Sequence, residues 1–483
     1  MPVDTTTHDE AGGSGQEVDE PTLRRAVGAS MIGNATEWYD YGVYAYLTAE
    51  ITSNFFPHAG TAATLLVYAV SFVLRPLGGI VWGPIGDRLG RNKVMAMTII
   101  LMAAGTFLVG VIPSYDSIGF WAPVLLVLLR IVQGFSTGGE YGGAATFMAE
   151  YAPDKRRGFW GSFLECGTLL GFSGGLAVTL ILRASLDQHQ MDTWGWRVPF
   201  LIGLPLGLVG LYLRTKMEDT PVFRELQEND EAEEAATSAL KDLFRDYWQP
   251  ILRLFLLVVA LNIADYTLLT YMPTYMSSDK PDGLGISATQ SDVILLIGQL
   301  IMTVLIWIAG ANSDRIGRKP MWWFSLIAIF VLSVPCFWLM GQGIGWAIVG
   351  FTILGLVFLP QLGTVSATFP AMFPAHVRYA GMAISYNIST AAFGGTASLV
   401  NDGLVDWTGN RYMPAFYMML AMVIGMIGLV KVPETAGHSI RGRGIPGEDP
   451  PEEERKDRSG IHNVSGIRDV SKEFGTRGGR PRD

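Results

Sequence analysis

Charged residues are scarce in this sequence. Asp, Glu, Lys and Arg together account for 16% of its 483 residues, against about 25% in an ordinary soluble protein. The hydrophobic fraction is 49%. A chain with so little charge cannot cover a normal water-facing surface, which excludes a soluble enzyme of two or three domains. The composition predicts an integral membrane protein with many spans.

Signals for catalysis and metal binding are also missing. The two cysteines, Cys166 and Cys336, lie far apart in apolar runs, so we interpret them as packing residues rather than a disulfide or a metal site. The six histidines are scattered, and the sequence contains no G-x-x-x-x-G-K-S/T phosphate loop. The sequence therefore predicts neither an enzyme nor an ATP-driven pump, and it predicts no metal and no cofactor.

The formal net charge of −9 is unevenly distributed. Residues 1–23 contain six acids and no Lys or Arg, and residues 217–248 contain ten acids and three bases. The rest of the chain is slightly basic. The acidity therefore belongs to water-exposed extensions, and it argues against a nucleic-acid partner.

Long apolar runs recur along the chain. A membrane span needs roughly 20 mostly apolar residues. Segments of this kind are found at 26–50, 61–85, 94–113, 119–148, 158–182, 196–214, 250–276, 290–312, 320–340, 345–370, 379–401 and 412–432. The pattern predicts an all-α integral membrane protein with twelve transmembrane helices in two six-helix bundles.

The spans and the polar segments together predict a domain organisation. It comprises a disordered acidic tail at 1–25, an N-terminal bundle at 26–216, a cytoplasmic linker at 217–248, a C-terminal bundle at 249–432 and a disordered cytoplasmic tail at 433–483. Lys and Arg cluster before the first span and after even-numbered spans, whereas the loops on the other side are nearly bare, and 51–60, 114–118 and 341–345 contain no Lys or Arg. By the positive-inside rule both termini are cytoplasmic.

One loop motif occurs twice. The pattern G-x-x-x-D-R-x-G-R contains Asp87 in its first copy and Asp314 in its second, 227 positions later. Two copies on the same membrane face require an even number of intervening spans, and six fits. The repeat predicts two six-helix units related by an axis along the membrane normal. We interpret the motif as a latch at helix ends, with Asp87, Arg88, Arg91, Asp314, Arg315 and Arg318 as gating residues.

These motifs resemble the loop signature of the major facilitator superfamily over about residues 24–435. Within it, the first-span string G-N-A-T-E-W-Y-D-Y-G at 33–42, R-P-L-G-G at 75–79 and Q-G-F-S-T-G-G-E-Y at 133–141 are similar to the metabolite:proton symporter family. The resemblance implies a multi-pass protein of the bacterial cytoplasmic membrane. Its implied activity is proton-coupled import of a compatible solute, such as proline, glycine betaine or an ectoine-like zwitterion, by alternating access.

Two features depart from the family's pattern. Relatives that respond to osmolality can end in a coiled coil, whereas the tail at 433–483 has no sustained heptad, so osmotic activation would have to work without that device. Asp265 stands where the resemblance implies an uncharged residue, which affects the details of proton coupling.

Acidic residues inside the predicted spans are the candidate proton carriers, because an ionisable group in the bilayer needs a partner or a function. Glu37 lies about 11 residues into the first span, near the bilayer centre at a rise of about 1.5 Å per residue. Asp40 follows one turn later. Glu165 lies in the fifth span and Asp265 in the seventh. Glu37 is the first choice and Asp40 the second.

A zwitterionic solute needs opposite poles in its binding cavity. The Arg130 guanidinium matches a carboxylate in geometry, whereas a quaternary ammonium cannot donate hydrogen bonds and is best bound by aromatic faces. The predicted substrate-binding residues are Arg130, Gln133, Trp38, Tyr39, Tyr41, Tyr44 and Asn34.

Several alternatives remain open at this point. Glu37 and Arg130 could form a structural ion pair, and the aromatic residues could face the lipid or pack the core. Glu140 is predicted to support close helix packing and a gate ion pair. The same fold could carry a mono-, di- or tricarboxylate such as ketoglutarate, citrate or shikimate. A membrane sensor would need a soluble output domain, and no extramembrane segment is large enough to fold alone.

Overall fold

The structure is a computed structural model that describes residues 20–89, 91–138, 140–215, 243–278, 284–374, 377–440 and 444–447. Besides several short helices, the described residues form twelve long helical segments, each overlapping one predicted span. We name them α1 (Glu20–Tyr46, then Thr48–Phe55), α2 (Thr61–Val73 and Arg75–Leu89), α3 (Arg91–Val111), α4 (Trp121–Thr137 and Glu140–Tyr151), α5 (Arg157–Ser185), α6 (Arg197–Thr215), α7 (Trp248–Tyr266, Thr267–Tyr271 and Met272–Ser277), α8 (Ala288–Ile316), α9 (Arg318–Met340), α10 (Ile344–Leu362 and Val365–Thr368), α11 (Arg378–Ser389, Thr390–Gly394 and Ala397–Thr408) and α12 (Met413–Leu429).

Not every segment is a strongly apolar span. Within the described residues, seven helices are long and apolar enough to cross a membrane, and an eighth qualifies if the pair bent by 44° at Trp196 is one span. Helices α3 and α12 are apolar but short. Helix α1 is weakened as a span by buried polar residues, including Glu37 and Asp40. The polarity of α1 is the first sign that it carries a site.

Helices α1–α6 form the N-bundle and α7–α12 form the C-bundle. The two bundles pack together chiefly through α5 on α8 and α2 on α11. Glycines bring the helices close. At Gly134 of α4, an added Cβ would lie 1.7 Å from the Ser71 carbonyl of α2, and at Gly158 of α5 it would lie 2.5 Å from the Gly310 carbonyl of α8. Close backbone approach of this kind is typical of helix pairs in membranes.

Helices α7 and α11 each contain a π-helical turn, at Thr267–Tyr271 and Thr390–Gly394. The two helices exchange polar contacts there. Asn262 donates to Thr390 Oγ1 at 3.0 Å, and Asn401 donates to Thr267 Oγ1 at 2.9 Å. Because π-turns interrupt the regular backbone ladder and frequently mark functional sites, they direct attention to the adjacent residues of α7.

The helix boundaries differ from the predicted domain limits at both ends. Helix α1 begins at Glu20, not at 26, and a Glu20–Arg24 ion pair of 2.6 Å one turn apart supports its start. The prediction of a disordered tail from 433 is wrong for residues 433–440. Glu434 accepts hydrogen bonds from the backbone nitrogens of Arg318 and Lys319 at 2.8 and 3.0 Å, at the start of α9. The predicted tail at 1–19, most of the linker and the tail beyond 447 lie outside the described residues.

Residues 434–440, which we call the strap, lie across the face at which α1 begins and α12 ends. We call this the terminal face. Arg157 of α5 donates to the His438 carbonyl at 3.1 Å, and Arg378 of α11 donates to the Ile440 carbonyl at 2.5 Å. The Ile440 side chain is buried against Ala149 of α4 and Ala371, which follows α10. The strap thus contacts both bundles.

Candidate functional site

Asp40 of α1 is the centre of a buried polar cluster. Arg130 of α4 pairs with its Oδ2 at 2.7 Å. Thr106 of α3 and Gln133 of α4 donate to its Oδ1 at 2.8 and 3.1 Å, and Gln133 also donates to Thr106 at 2.9 Å. Three donors therefore hold one carboxylate, which compensates the loss of water around it.

Asp40 does not occupy all the hydrogen-bond donors of the Arg130 guanidinium. Its guanidinium lies 4.0 Å from the centre of the Tyr44 ring, and its Nη1 makes the bond to Asp40. Nε and Nη2 are buried and have no hydrogen-bond partner among the described residues. These two nitrogens form the side edge of the guanidinium, which is suited to a bidentate carboxylate.

Glu37 pairs with Arg75 of α2 at 3.1 Å, and both side chains are almost completely buried. The Arg75 guanidinium also lies over the rings of Tyr41 and Phe72, 4.9 and 4.6 Å from their centres. Its Nε has no partner in the part of the chain that the structure describes. The open alternative of a Glu37–Arg130 pair is therefore not the arrangement that forms, because each acid has its own arginine.

Aromatic rings fill the space between the bundles near this ion pair. Trp38 contacts Tyr41, Phe172 and Tyr266, with ring centres 5.7, 5.3 and 6.0 Å apart. Phe72 meets Tyr266 edge to face at 5.2 Å. Since Tyr266 belongs to α7 and the other four rings to α1, α2 and α5, the cluster joins the N-bundle to the C-bundle.

Glu165 of α5 is held by hydroxyl groups. Tyr141 donates to its Oε1 at 2.5 Å and Thr168 to its Oε2 at 3.0 Å. The Tyr141 ring stacks on Tyr386 of α11, with centres 4.3 Å apart. Asn34 of α1 donates in turn to Thr168 at 2.7 Å. Glu165 is thus connected to both bundles through neutral partners.

Asp265 of α7 differs from the other deep acids. It is 5% exposed, and its Oδ1 has no hydrogen-bond partner among the described residues. No ion pair with it is found there either. Glu165 lies within electrostatic range of Asp265.

The predicted substrate residues separate into two groups in the structure. Trp38 contacts the other bundle through Tyr266. Tyr41 packs inside the N-bundle against Tyr68 and Phe72, and Tyr39 donates to the Pro199 carbonyl of α6 at 2.9 Å, also inside the N-bundle. Tyr44 donates to the Thr64 carbonyl of α2 at 3.1 Å. Asn34 and Gln133 support Glu165 and Asp40, as described above.

Sequence reasoning did not select several residues that share this space, namely Arg75, Tyr68, Phe72, Phe172, Tyr266 and Tyr386. The available signal for Arg75 was the R-P-L-G-G string at 75–79. The aromatic residues carry no signal of their own, because aromatics are common in spans.

Ion pairs close the face opposite the terminal face. Arg183 of α5 donates to both Glu50 oxygens, at 2.9 and 3.0 Å, and to Asp292 of α8 at 2.7 Å. It also donates to the Tyr46 carbonyl at 2.9 Å. One arginine thus joins α1 and α5 of the N-bundle to α8 of the C-bundle.

The terminal face is closed as well. Asp314 of α8 accepts hydrogen bonds from the backbone nitrogens of Gly158 and Phe159, each at 2.8 Å, at the start of α5. Arg318 lies 2.9 Å from Asp314, and Arg315 is exposed. The predicted gating residues Asp87, Arg88, Arg91 and Glu140 have side chains outside the described part of the structure.

Comparison with known proteins gives the family. The Major Facilitator Superfamily family pattern matches residues 31–399. The proline/betaine transporter of Escherichia coli strain K12 is 40% identical over 436 residues, which are 88% of this chain and 86% of the relative. The ectoine/proline transporter ProP of Corynebacterium glutamicum is 38% identical over 87% of this chain and 86% of its own length.

A further relative and a solved structure agree with this result. The glycine betaine/proline/ectoine/pipecolic acid transporter OusA of Dickeya dadantii is 40% identical, over 88% of this chain and 86% of its own. The xylose transporter XylE of E. coli, in a partially occluded inward-open conformation, matches with a TM-score of 0.69 at 17% identity, over 87% of this chain and all of XylE. That likeness shows the fold. The chain belongs to the major facilitator superfamily, and it is a multi-pass membrane transporter, not an enzyme.

Proposed function

We propose that this transporter imports a zwitterionic compatible solute, such as proline, glycine betaine or an ectoine-like molecule, together with protons. The relatives at 38–40% identity carry such solutes in their names. In this proposal the protein lies in a bacterial cytoplasmic membrane, and the terminal face is the cytoplasmic face, because the Lys- and Arg-rich loops lie there.

The observation that carries the proposal is the opposition, across the bundle interface, of buried charged groups that keep unsatisfied hydrogen-bonding atoms among the described residues. On the N-bundle side, Arg75 and Arg130 have free guanidinium nitrogens, and the Tyr68 hydroxyl is also without a partner in the described residues. On the C-bundle side, Asp265 has a carboxylate oxygen that accepts no hydrogen bond from the part of the chain that the structure describes. Tyr68 is within electrostatic range of both arginines and of Asp265. A small zwitterion placed between them would complement both poles.

Proton coupling follows from the ion pairs around the arginines. Protonation of Glu37 would remove the negative partner of Arg75 and make that guanidinium available to a solute carboxylate. A proton and a solute would then bind together, which is the requirement for symport. Asp40 could act in the same way on Arg130, although its two further donors, Thr106 and Gln133, stabilise its charged form.

Alternating access requires that one face opens while the other stays closed. Opening the face opposite the termini would break the contacts of Arg183 with Glu50 and Asp292. Opening the terminal face would break the contacts of Asp314 with α5 and release the strap. Each transition thus breaks a small set of polar contacts between the bundles on one face while the contacts on the other face remain.

A carboxylate cargo is the second candidate, because two buried arginines have free donors. Each of these arginines is already neutralised by an acid, however, and Glu165 and Asp265 add further negative charge. A dianion would meet repulsion in this surrounding, which favours the zwitterion.

The test is uptake of radiolabelled proline and glycine betaine by cells that lack their own osmolyte transporters, before and after an osmotic upshift, with and without a protonophore. We expect uptake that the protonophore abolishes and the upshift increases. Accumulation of ketoglutarate or citrate without either zwitterion would overturn the substrate proposal. Uptake that the protonophore leaves unchanged would overturn the coupling.

A further inference from the structure

Four acids of the described residues are the candidate proton carriers inside the spans, and three of them are satisfied by neighbouring donors. Asp40 accepts from Arg130, Thr106 and Gln133. Glu37 pairs with Arg75, and both oxygens of Glu165 accept hydroxyl hydrogen bonds. Asp265 receives neither a hydrogen bond nor an ion pair from any described residue. Burying a carboxylate without a hydrogen-bond donor costs free energy. The donor for Asp265 must therefore come from something other than the described residues.

The position of Asp265 is suited to contact with a transported molecule. It lies directly before Tyr266 and two residues before the first residue of the π-turn of α7. The Tyr266 ring contacts Trp38 and Phe72 of the N-bundle, and its hydroxyl is buried without a partner in the described residues. Asp265 therefore lies in the part of α7 that packs against the N-bundle.

We propose that Asp265 is a specificity-determining residue that accepts N–H hydrogen bonds from the cationic end of the solute. The inference rests on the proposed function, and it names which zwitterions the site prefers. A secondary ammonium, as in a cyclic amino acid, has two N–H groups that an unpaired carboxylate can accept. A quaternary ammonium has none, and it interacts with Trp38 and Tyr266 through their ring faces. Asp265 thus favours solutes whose nitrogen carries hydrogen.

The test compares two solutes that differ only at the nitrogen, proline and N,N-dimethylproline, in cells producing the wild type, Asp265→Asn, Asp265→Glu or the control Asp116→Asn. Asp116 is exposed in the loop between α3 and α4. A hydrogen bond to a charged group corresponds to a loss of roughly tenfold to a hundredfold in affinity. We expect Asp265→Asn to raise the half-saturation concentration for proline about tenfold or more and that for dimethylproline less than about threefold. Asp265→Glu should restore part of the preference.

The outcomes separate this inference from the proposed function. Equal losses for both solutes, or no loss, would overturn it. Loss of uphill accumulation with unchanged solute exchange would assign a proton-carrying role to Asp265 and overturn it as well. If both variants fail to reach the membrane, the half-saturation concentrations of the wild type for the two solutes test the inference. A lower value for dimethylproline than for proline would contradict it. A wild type that transports neither solute would instead refute the proposed function.

Discussion

Arg130 and Asp40 meet at 2.7 Å in the interior of the N-bundle, yet two nitrogens of the same guanidinium remain unpaired among the described residues. The acid fixes the arginine through Nη1 and leaves the Nε–Nη2 edge for another anion. An arginine held in this way is oriented before the solute arrives, which lowers the entropy cost of binding.

The first prediction concerns this edge. Lysine in place of Arg130 keeps the charge and the contact with Asp40 but cannot offer two parallel donors. We expect Arg130→Lys to raise the half-saturation concentration for proline at least about tenfold, measured by initial rates of uptake. Arg24→Lys, at an exposed position of α1, should leave it unchanged. Wild-type kinetics in Arg130→Lys would mean that the edge does not bind the solute.

Glu37 should govern coupling rather than solute exchange. Glutamine cannot gain or lose the proton, so Glu37→Gln should abolish uphill accumulation while Arg75 stays free to bind solute. The measurement is active uptake beside counterflow between equal pools, with the exposed Glu20→Gln as the control. If accumulation persists in Glu37→Gln, another acid carries the proton, and the same pair of assays on Asp40→Asn identifies it.

Removing Arg183 should open the face opposite the termini. Arg183→Ala loses the contacts with Glu50 and Asp292, and the two acids then repel each other. In a background with both native cysteines replaced, a cysteine at the buried position Gln299 should react several-fold faster with a membrane-impermeant maleimide applied from outside the cell. Gln188→Ala, an exposed change on the same face, should not alter the rate. An unchanged rate in Arg183→Ala would show that other contacts keep this face closed.

The strap should hold the terminal face closed. Ile440 is buried between residues of both bundles, so Ile440→Asp places a charge in that contact and should release the strap. A cysteine at Ser366, which is buried in α10, should then become more reactive in inverted membrane vesicles. His438→Asp adds the same charge at an exposed side chain two residues away and should have little effect. Equal reactivity in the two variants would argue against the strap as a closing element.

Because α2 packs closely on α4, a larger residue at Gly134 should lower the stability of the protein. A methyl group at Gly134 would overlap the Ser71 carbonyl at 1.7 Å, so the helices would have to separate. Overpacking of this kind costs typically about 1–3 kcal/mol, and Gly134→Ala should lower the thermal unfolding temperature in detergent. Gly345→Ala meets no atom within 4 Å and serves as the control. Equal unfolding temperatures would show that α2 and α4 can move apart freely.

The positions of the spans were predictable because burial in lipid imposes a length and a composition on each segment. All twelve helices overlap their predicted ranges. The errors lie where water takes over from lipid, as at the start of α1 and in the strap. The contacts that order these segments, such as that of Arg378 with the Ile440 carbonyl, join residues far apart in the chain, and no local sequence pattern predicts them.

The sequence by itself determined that the chain is a twelve-helix transporter of a duplicated unit, and it identified Glu37, Asp40, Arg130, Glu165 and Asp265 as charged residues inside the spans. Hydropathy and repeats are properties of the chain alone. Tertiary structure decided the partners. Glu37 and Asp40 are three residues apart and so point about 60° apart around α1, since a helix turns about 100° per residue. One therefore meets Arg75 of α2, and the other meets Arg130 of α4. The rotation of each helix against its neighbours made that choice, and it also left Asp265 without a donor among the described residues.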